Sequence, residues 1–511
     1  MTEGAHSIAA AILLASIATN AAQPWFAIKV IDKDTGRGVP MVELETVNHI
    51  VHVTDSSGFA AFHEPGLMGS NVFFHVRSHG YEFRKDRFGF RGLKLRTTPG
   101  GAANIQITRR NIAERLYRIT GAGIYRDSVL LQKSVPTSAP VLNGLVLGQD
   151  SVNTIPYRDR IHWFWGDSNR PGYPLGNFKT SGATSHYPRD GGLDPSTGIN
   201  LDYHLDKRGF SRKMAPFPEQ GLVWIFGLVV LPDESGRERM VAHYTRMKNL
   251  GKMLEHGLVV FNDRRKEFEK LIEFDLTNRW ATLQTHPFRH HDGAREWLVI
   301  PNPLPNIRVP ASYTSIQQQD KYEAFTCLKQ GENFAGKDSK IERNKNGDAL
   351  YAWKSDTQPI GPGEEQQLIR QGLLRSEEAH FLPQDVESGK TISMHFSTVR
   401  WNEYRQRWVM IGVQNGGDRS YLGEIWYGES RQPTGPWRAV RKIVTHDHYS
   451  FYNPCHHAFF DQENGRLIYF EGTYTSMFSK AKTKTPRYDY NQIMYRLDLA
   501  DPRLDAMHSP H

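Results

Sequence analysis

The chain has 511 residues, enough for two or three domains, and its 11% aromatic content can build a sizeable core. A strongly negative mean hydropathy, with frequent Gly and Pro, fits a loop-rich β protein and argues against membrane spans. The formal charge of +8 is spread out, without the stripe or motif that nucleic-acid binding needs, and two cysteines cannot form a disulfide framework or a zinc cluster.

Ile8 to Ala22 is an apolar, Ala-rich run that ends in small residues. It has the length of a signal-peptide hydrophobic region and is too short to span a bilayer, although Glu3 replaces the usual basic residues before it. Residues 1–22 are therefore predicted to be a signal peptide, which makes the protein secreted or periplasmic. From 24 to 110 the pattern is a small β domain. Phe26 to Ile31 alternates, Val42–Thr46, His49–Val53, Phe59–Phe62 and Asn71–Val76 are further strands, and Asp32–Gly36 and Asp55–Gly58 are turns. The blocks Gly38-Val-Pro40, Thr54-Asp55-Ser-Ser-Gly58 and Gly80-Tyr81 resemble the carboxypeptidase-regulatory-like, transthyretin-like sandwich. Such modules commonly act as spacers or adhesion units. Residues 111–137 read as a connector with a short helix over Ile112 to Ile119. A propeller is expected over 138–502, followed by a tail over 503–511.

Five segments in the long region repeat one pattern, a polar turn followed by a short aromatic or apolar run. The turns are Arg158–Arg160, Gly236–Arg239, His291–Gly293, Tyr404–Arg407 and Glu463–Arg466. Each looks like a hairpin, and their recurrence predicts radially repeated sheets, a five-bladed β-propeller. The fold class is thus all-β, an N-terminal β-sandwich followed by a five-bladed propeller. Lys329 to Gln367 is the longest irregular stretch and reads as a surface insertion, with a short helix over Glu364 to Leu374.

Several groups could carry chemistry. Asp150 and Asp167 sit at the ends of two adjacent predicted strands, where Asp is often a turn former. Glu255 and His256 lead into an apolar strand. Arg308 suits a carboxylate or sulfate ligand, or an internal pair with Glu323. The densest segment holds His446, His448, His456 and His457 within twelve residues, followed by Glu471, Tyr474 and Arg487. Clustered imidazoles suggest a metal, but neighbours on a strand point to opposite faces, so at most one of His456 and His457 can join a common site. Glu471 is the best acid or base in this half.

These blocks, with Trp401–Trp408 and Ser430-Arg-Gln-Pro-Thr-Gly-Pro-Trp437, resemble the five-bladed propeller glycoside hydrolases, the arabinanase/xylosidase-like superfamily. The Ser430–Trp437 block is the most telling, and in that superfamily such a segment joins the outer strands of a blade. The resemblance implies a catalytic Asp on the first blade, which maps onto Asp150, and a Glu acid for which Glu255, Glu323 and Glu471 all stay open.

The leading expectation is an exported glycoside hydrolase acting on a polysaccharide or oligosaccharide. Asp150, with Glu255 or Glu471, would be catalytic, and Asp167, Arg308, Glu323, His446, His457, Tyr474 and Arg487 would bind substrate. No cofactor is required, although a bound metal ion is compatible with the His-rich segment. Two alternatives stand. One is a polysaccharide lyase acting on uronates through His446, His457, Tyr474 and Arg487. The other is a non-catalytic carbohydrate-binding or adhesion protein. Neither a nucleic-acid partner nor a membrane span is expected.

Overall fold

The computed structural model describes residues 24–508, so the expected signal segment lies outside the described residues. Phe26–Asp32 buries alternate residues and lies between Phe59–Phe62 and Ala102–Arg109 in a four-stranded sheet. Val51–Val53, Glu43–Thr46, Asn71–Arg77 and Gly92–Arg96 make a second sheet. The inner faces share one core that includes Ile28, Val30, Leu44, Phe62, Phe74 and Ile105, which makes this unit a sandwich.

Five further sheets of four or five strands follow. Their first strands are Asn153–Tyr157, Leu222–Pro232, Phe288–His291, Met394–Asn402 and Ser450–His456, in sheets I to V. Each of the five repeated turns connects the first strand of a sheet to its second. Each also holds a residue in the left-handed region, namely Arg158, Gly236, Gly293, Gln406 or Asn464, as a tight reversal requires.

The sheets form a closed ring. The first strands are linked in succession by Asn153 Nδ2 to the Ile225 carbonyl (3.0 Å) and Gly227 N to the Thr285 carbonyl (2.9 Å). The links continue through Arg400 to the His286 carbonyl (3.2 Å) and Thr398 Oγ1 to the Pro454 carbonyl (2.8 Å), and Asn453 Nδ2 returns to Ser151 Oγ (2.9 Å). A separate apolar core fills each interface. Phe164 and Tyr244 lie between I and II, Leu258 and Ile307 between II and III, and Phe288 and Met410 between III and IV. Ile411 and Phe470 lie between IV and V, and Trp163 and Tyr469 between V and I. This is the propeller arrangement expected from the repeats.

Three expectations need correction. Ile112 to Ile119 is not helical: Glu114–Arg118 is a strand pairing with Asn491–Asp498, so the expected connector supplies the outer strand of sheet V. Its apolar spacing at 112, 116 and 119 suits a helix, but the open edge of the preceding strand captures it, and tertiary pairing overrides local periodicity. The tail is not free, because Leu504 is buried in the core between IV and V. The insertion contains the strand Ala352–Lys354, and its helix covers Pro362–Arg370, with the Glu364 side chain accepting from the Gly361 amide (3.0 Å). The Ser430–Trp437 block joins the third and fourth strands of the main hairpin series in sheet IV, and Trp437 is buried there.

A chain starting at residue 111 should elute as a soluble monomer. One starting at residue 138, which leaves Asn491–Asp498 with a bare edge, should aggregate. Size-exclusion chromatography of the two checks this.

Candidate active site

Gly148–Gln149 pairs antiparallel with Ser168–Arg170, and Tyr173–Asn177 completes a small accessory sheet. The register Gly148↔Asn169 and Gln149↔Ser168 brings Asp150 opposite Asp167. The Asp150 amide donates to the Asp167 carbonyl (3.3 Å), and the Asp167 amide donates to Asp150 Oδ1 (2.9 Å). Two glycines allow this approach. A Cβ on Gly148 would stand 2.2 Å from the Tyr490 carbonyl, and one on Gly166 would stand 2.8 Å from Asp150 Oδ1.

Asp150 lies where the first strand of sheet I begins, and Ser151 ties it to sheet V through its amide to Thr473 Oγ1 (2.9 Å). The beginnings of the first strands share one end of the ring, here called the mouth. Four non-glycine residues there hold positive φ: Ser151 (54°), Asn453 (50°), Phe478 (56°) and Tyr490 (66°). Backbone strain of this kind concentrates at functional sites.

The two carboxyl groups are recessed but partly open to solvent. Asp150 accepts from the Asp167 amide, from the Tyr452 hydroxyl (2.7 Å) and from Tyr490. Burial raises Asp150 above the usual carboxylate range, while these three donors favour its anion. Asp167 accepts one hydrogen bond, from Trp224 Nε1 (2.8 Å). Burial, and then the charge of Asp150, raise Asp167 to about 7. Of the two, Asp167 therefore keeps its proton to higher pH, up to about 7, while the three donors favour the anion at Asp150.

The other predicted residues do not converge on the mouth. Glu255 is in the third strand of sheet II, bonded to Tyr244, to Arg246 (2.8 Å) and to Lys270 (2.5 Å), and these cations and donors outweigh burial and lower it. Arg308 pairs with Glu323 (2.6 Å) between Trp297 and Trp353 in sheet III, the internal pair that was the alternative for these two residues. His446 stacks on Phe451 in the core, where burial lowers it to about 3. Tyr474 is buried against Tyr449, with its hydroxyl on Thr485 (2.8 Å). Arg487 is exposed on the side facing Asp127 of the segment that follows the sandwich. His446, His457 and Tyr474 are thus buried, and the side chains expected to carry a lyase reaction do not gather at the mouth.

Glu471 has the right direction and the wrong depth. It shares a strand face with Thr473, which touches Ser151, but lies two residues, roughly 6.5 Å, deeper and fully buried. It belongs to an interior column. His457 Nε2 meets Glu471 at 2.8 Å, and Cys455 Sγ lies 3.8 Å from His457 Nδ1 and from His286 Nδ1. Burial raises the Cys455 thiol, but the two imidazoles outweigh it and bring it well below its ordinary value. Burial lowers His457, and Cys455 together with Glu471 overcome this and raise it to about 9. Cys327 lies in another core, so both thiols are free and buried. Among the described residues no group of three or more His, Cys, Asp or Glu could hold a metal ion.

Sequence reasoning missed Tyr452 and Trp224. Trp224 had a signal, since it alternates with buried Val223 and Ile225 and so faces away from that core. Trp163 and Trp165 are fully buried, whereas Phe478 is half-exposed and packs its ring 5.7 Å from that of Tyr452. No helix among the described residues is long and apolar enough to cross a membrane.

No protein-family profile and no curated protein matches the chain. Among solved structures, it is similar to a putative hydrolase from Bacteroides ovatus at 12% identity and a TM-score of 0.41, covering 72% of this chain and 89% of that one. An endo-arabinase from Bacteroides thetaiotaomicron aligns at 12% identity and a TM-score of 0.33, covering 70% of this chain and 98% of that one. An exo-1,5-alpha-L-arabinanase from a bovine ruminal metagenomic library aligns at 9% identity and a TM-score of 0.34, covering 69% and 94%. With TM-scores this low, the reading of the site rests on the geometry above.

Because Asp167 is raised in the fold, its ionisation opposes folding progressively from the unfolded carboxylate range up to about pH 7. Asp167→Asn should therefore melt higher than the parent, with a gap that widens from pH 4 to pH 7 and is constant above. Thermal melts across that range check the sign.

Proposed function

We propose that the chain is a glycoside hydrolase whose acid–base pair is Asp150 and Asp167. The observation that carries this is the pair itself: two facing carboxyl groups at the open end of the axis, one ionised and one protonated near neutral pH. Asp167 would donate its proton to the glycosidic oxygen as the bond to the anomeric carbon breaks. Asp150, held by Tyr452 and the Asp167 amide, would supply the opposing carboxylate. Trp224 and Tyr452 would keep the two groups oriented, and Phe478 offers an open ring face to a sugar.

We read the pair as retaining, because the two aspartates oppose each other on paired strands and a retaining enzyme needs its carboxyl groups only about 5 Å apart, closer than an inverting one. On this reading Asp150 attacks the anomeric carbon, the leaving group takes the Asp167 proton, and the ionised Asp167 then deprotonates the water that releases the sugar. The roles expected for Glu255 and Glu471 pass to Asp167, which the sequence reading had assigned to substrate binding. The apolar run over Ile8 to Ala22 supports export, and the sandwich over 24–110 would be an accessory module.

Asp150→Asn and Asp167→Asn should each lower kcat on an accepted glycan by about 10³-fold, and Glu255→Gln should leave it within about twofold. An unchanged kcat in both Asn variants would end this assignment. Parent activity should fall as pH rises through about 7, where Asp167 loses its proton. Proton NMR of the first-formed product should show the anomeric configuration of the substrate.

A further inference from the structure

The loop over residues 476–487 carries charge that the hydrolase reading leaves unused. Lys480, Lys482 and Lys484 are exposed and form no ion pair among the described residues, and no acidic residue interrupts the segment. The loop is nonetheless well anchored. Asp489 accepts from the Ser476 amide (2.6 Å) and from the Tyr449 hydroxyl (2.5 Å), and the Thr485 amide donates to that same hydroxyl (3.0 Å). At its start Met477 and Phe478 are exposed, and Phe478 packs on Tyr452, which holds Asp150. One end of this cationic loop therefore stands at the mouth.

Its other side adjoins a second feature. Thr485 of the loop bonds the Tyr474 hydroxyl (2.8 Å), and Tyr474 lines a cleft of about 490 Å³ between the sandwich and sheets IV and V. Arg77, Arg91, Arg110 and Arg419 also line that cleft. Glu43 and Glu45 take Arg77, Glu82 serves both Arg91 and Arg110, and Asp447 takes Arg419, so two of the four cations share one carboxylate. Beneath the cleft floor lies Arg115, which is buried and has no carboxylate partner among the described residues. Its guanidinium donates to Ser78 Oγ and the His79 carbonyl and sits 5.3 Å from the Tyr81 ring, while Nε has no partner. The Tyr81 hydroxyl, also buried, has no partner either. A buried cation and an idle hydroxyl beside an open cleft fit an incoming anion.

Taking the glycan-active reading as its premise, we propose that the substrate is an anionic polysaccharide. It would run from the axial mouth along Lys480, Lys482 and Lys484 into the arginine-lined cleft against the sandwich. The recognised chemistry is a carboxylate or sulfate repeated along a sugar chain, with Phe478 against a ring near the scissile bond. The sandwich is then one wall of the binding path. A duplex nucleic acid lacks the exposed sugar faces that Phe478 would meet, so the arrangement favours a glycan.

Full-length Asp167→Asn protein, whose turnover is expected to be about 10³-fold slower, is titrated with polygalacturonate, chondroitin sulfate, neutral arabinan and duplex DNA at about 50 and about 300 mM salt. At least one anionic glycan should bind about tenfold or more tightly than arabinan, weaken at high salt, and bind more tightly than the DNA. Lys480→Gln/Lys482→Gln/Lys484→Gln should weaken that binding about tenfold with an unchanged melting temperature, and Arg419→Gln should weaken it separately. Preference between the two anionic glycans separates carboxylate from sulfate. Equal or tighter binding of arabinan, tighter binding of DNA, or indifference to the lysine substitutions would overturn the inference. Cleavage of arabinan by the parent together with failure here would sink this inference alone. Anionic binding without cleavage by the parent would sink the hydrolase reading and leave this one standing.

Discussion

The short antiparallel pairing of Gly148–Gln149 with Ser168–Arg170 is the constraint on which the site depends. It lies outside the five main sheets, yet it sets two aspartates face to face at the open end of the ring. Cross-strand neighbours cannot separate without breaking the ladder, so both carboxyl groups are forced into one recess. Two like charges in one recess cannot both be ionised at low cost, and the number of donors decides which is. Three donors on Asp150 against one on Asp167 set the proton on Asp167. The asymmetry thus follows from the backbone register and the tyrosines of sheet V.

That register needs the ring to be closed, because Tyr452 and Tyr490 come from the last sheet and Asp150 from the first. The outer strand of sheet V comes from residues Glu114–Arg118, just after the sandwich. The ring is therefore tied shut by the chain's approach to it, and the sandwich is held beside sheets IV and V, where Met41 and Val53 enter their shared core. The same connection creates the cleft between the two units.

Much of the fold was legible because period-two patterns and tight turns are local. The five polar turns marked the first hairpin of sheets I to V, and five of the sandwich strands fell where the local pattern put them, while Gly92–Arg96 and Ala102–Arg109 were missed. The strand at Glu114–Arg118 was not legible, since its apolar spacing suits a helix equally well. Its strand form depends on an edge formed almost 400 residues later, for example Tyr495 opposite Arg115. Cross-strand partners of this separation leave no mark in the local pattern.

The site was legible in part, and the reason is depth. Asp150 and Asp167 could be found because each flanks a strand beside a glycine. Glu471 met the same test, and in the structure it shares a strand face with Thr473, which touches sheet I. Alternation reports the face of a strand but not the position along the axis. In a propeller every first and second strand passes from the open mouth into a packed interior, so one face carries both solvent-touching and sealed residues. Thr473 lies near the mouth, while Glu471, one pleat further in, serves His457 and Cys455 instead. A carboxylate at that depth stabilises an interior imidazole and cannot reach a glycosidic oxygen. The useful sequence signal is therefore an acid at the beginning of a first strand or just past the end of a second. Asp150 and Asp167 occupy those two places.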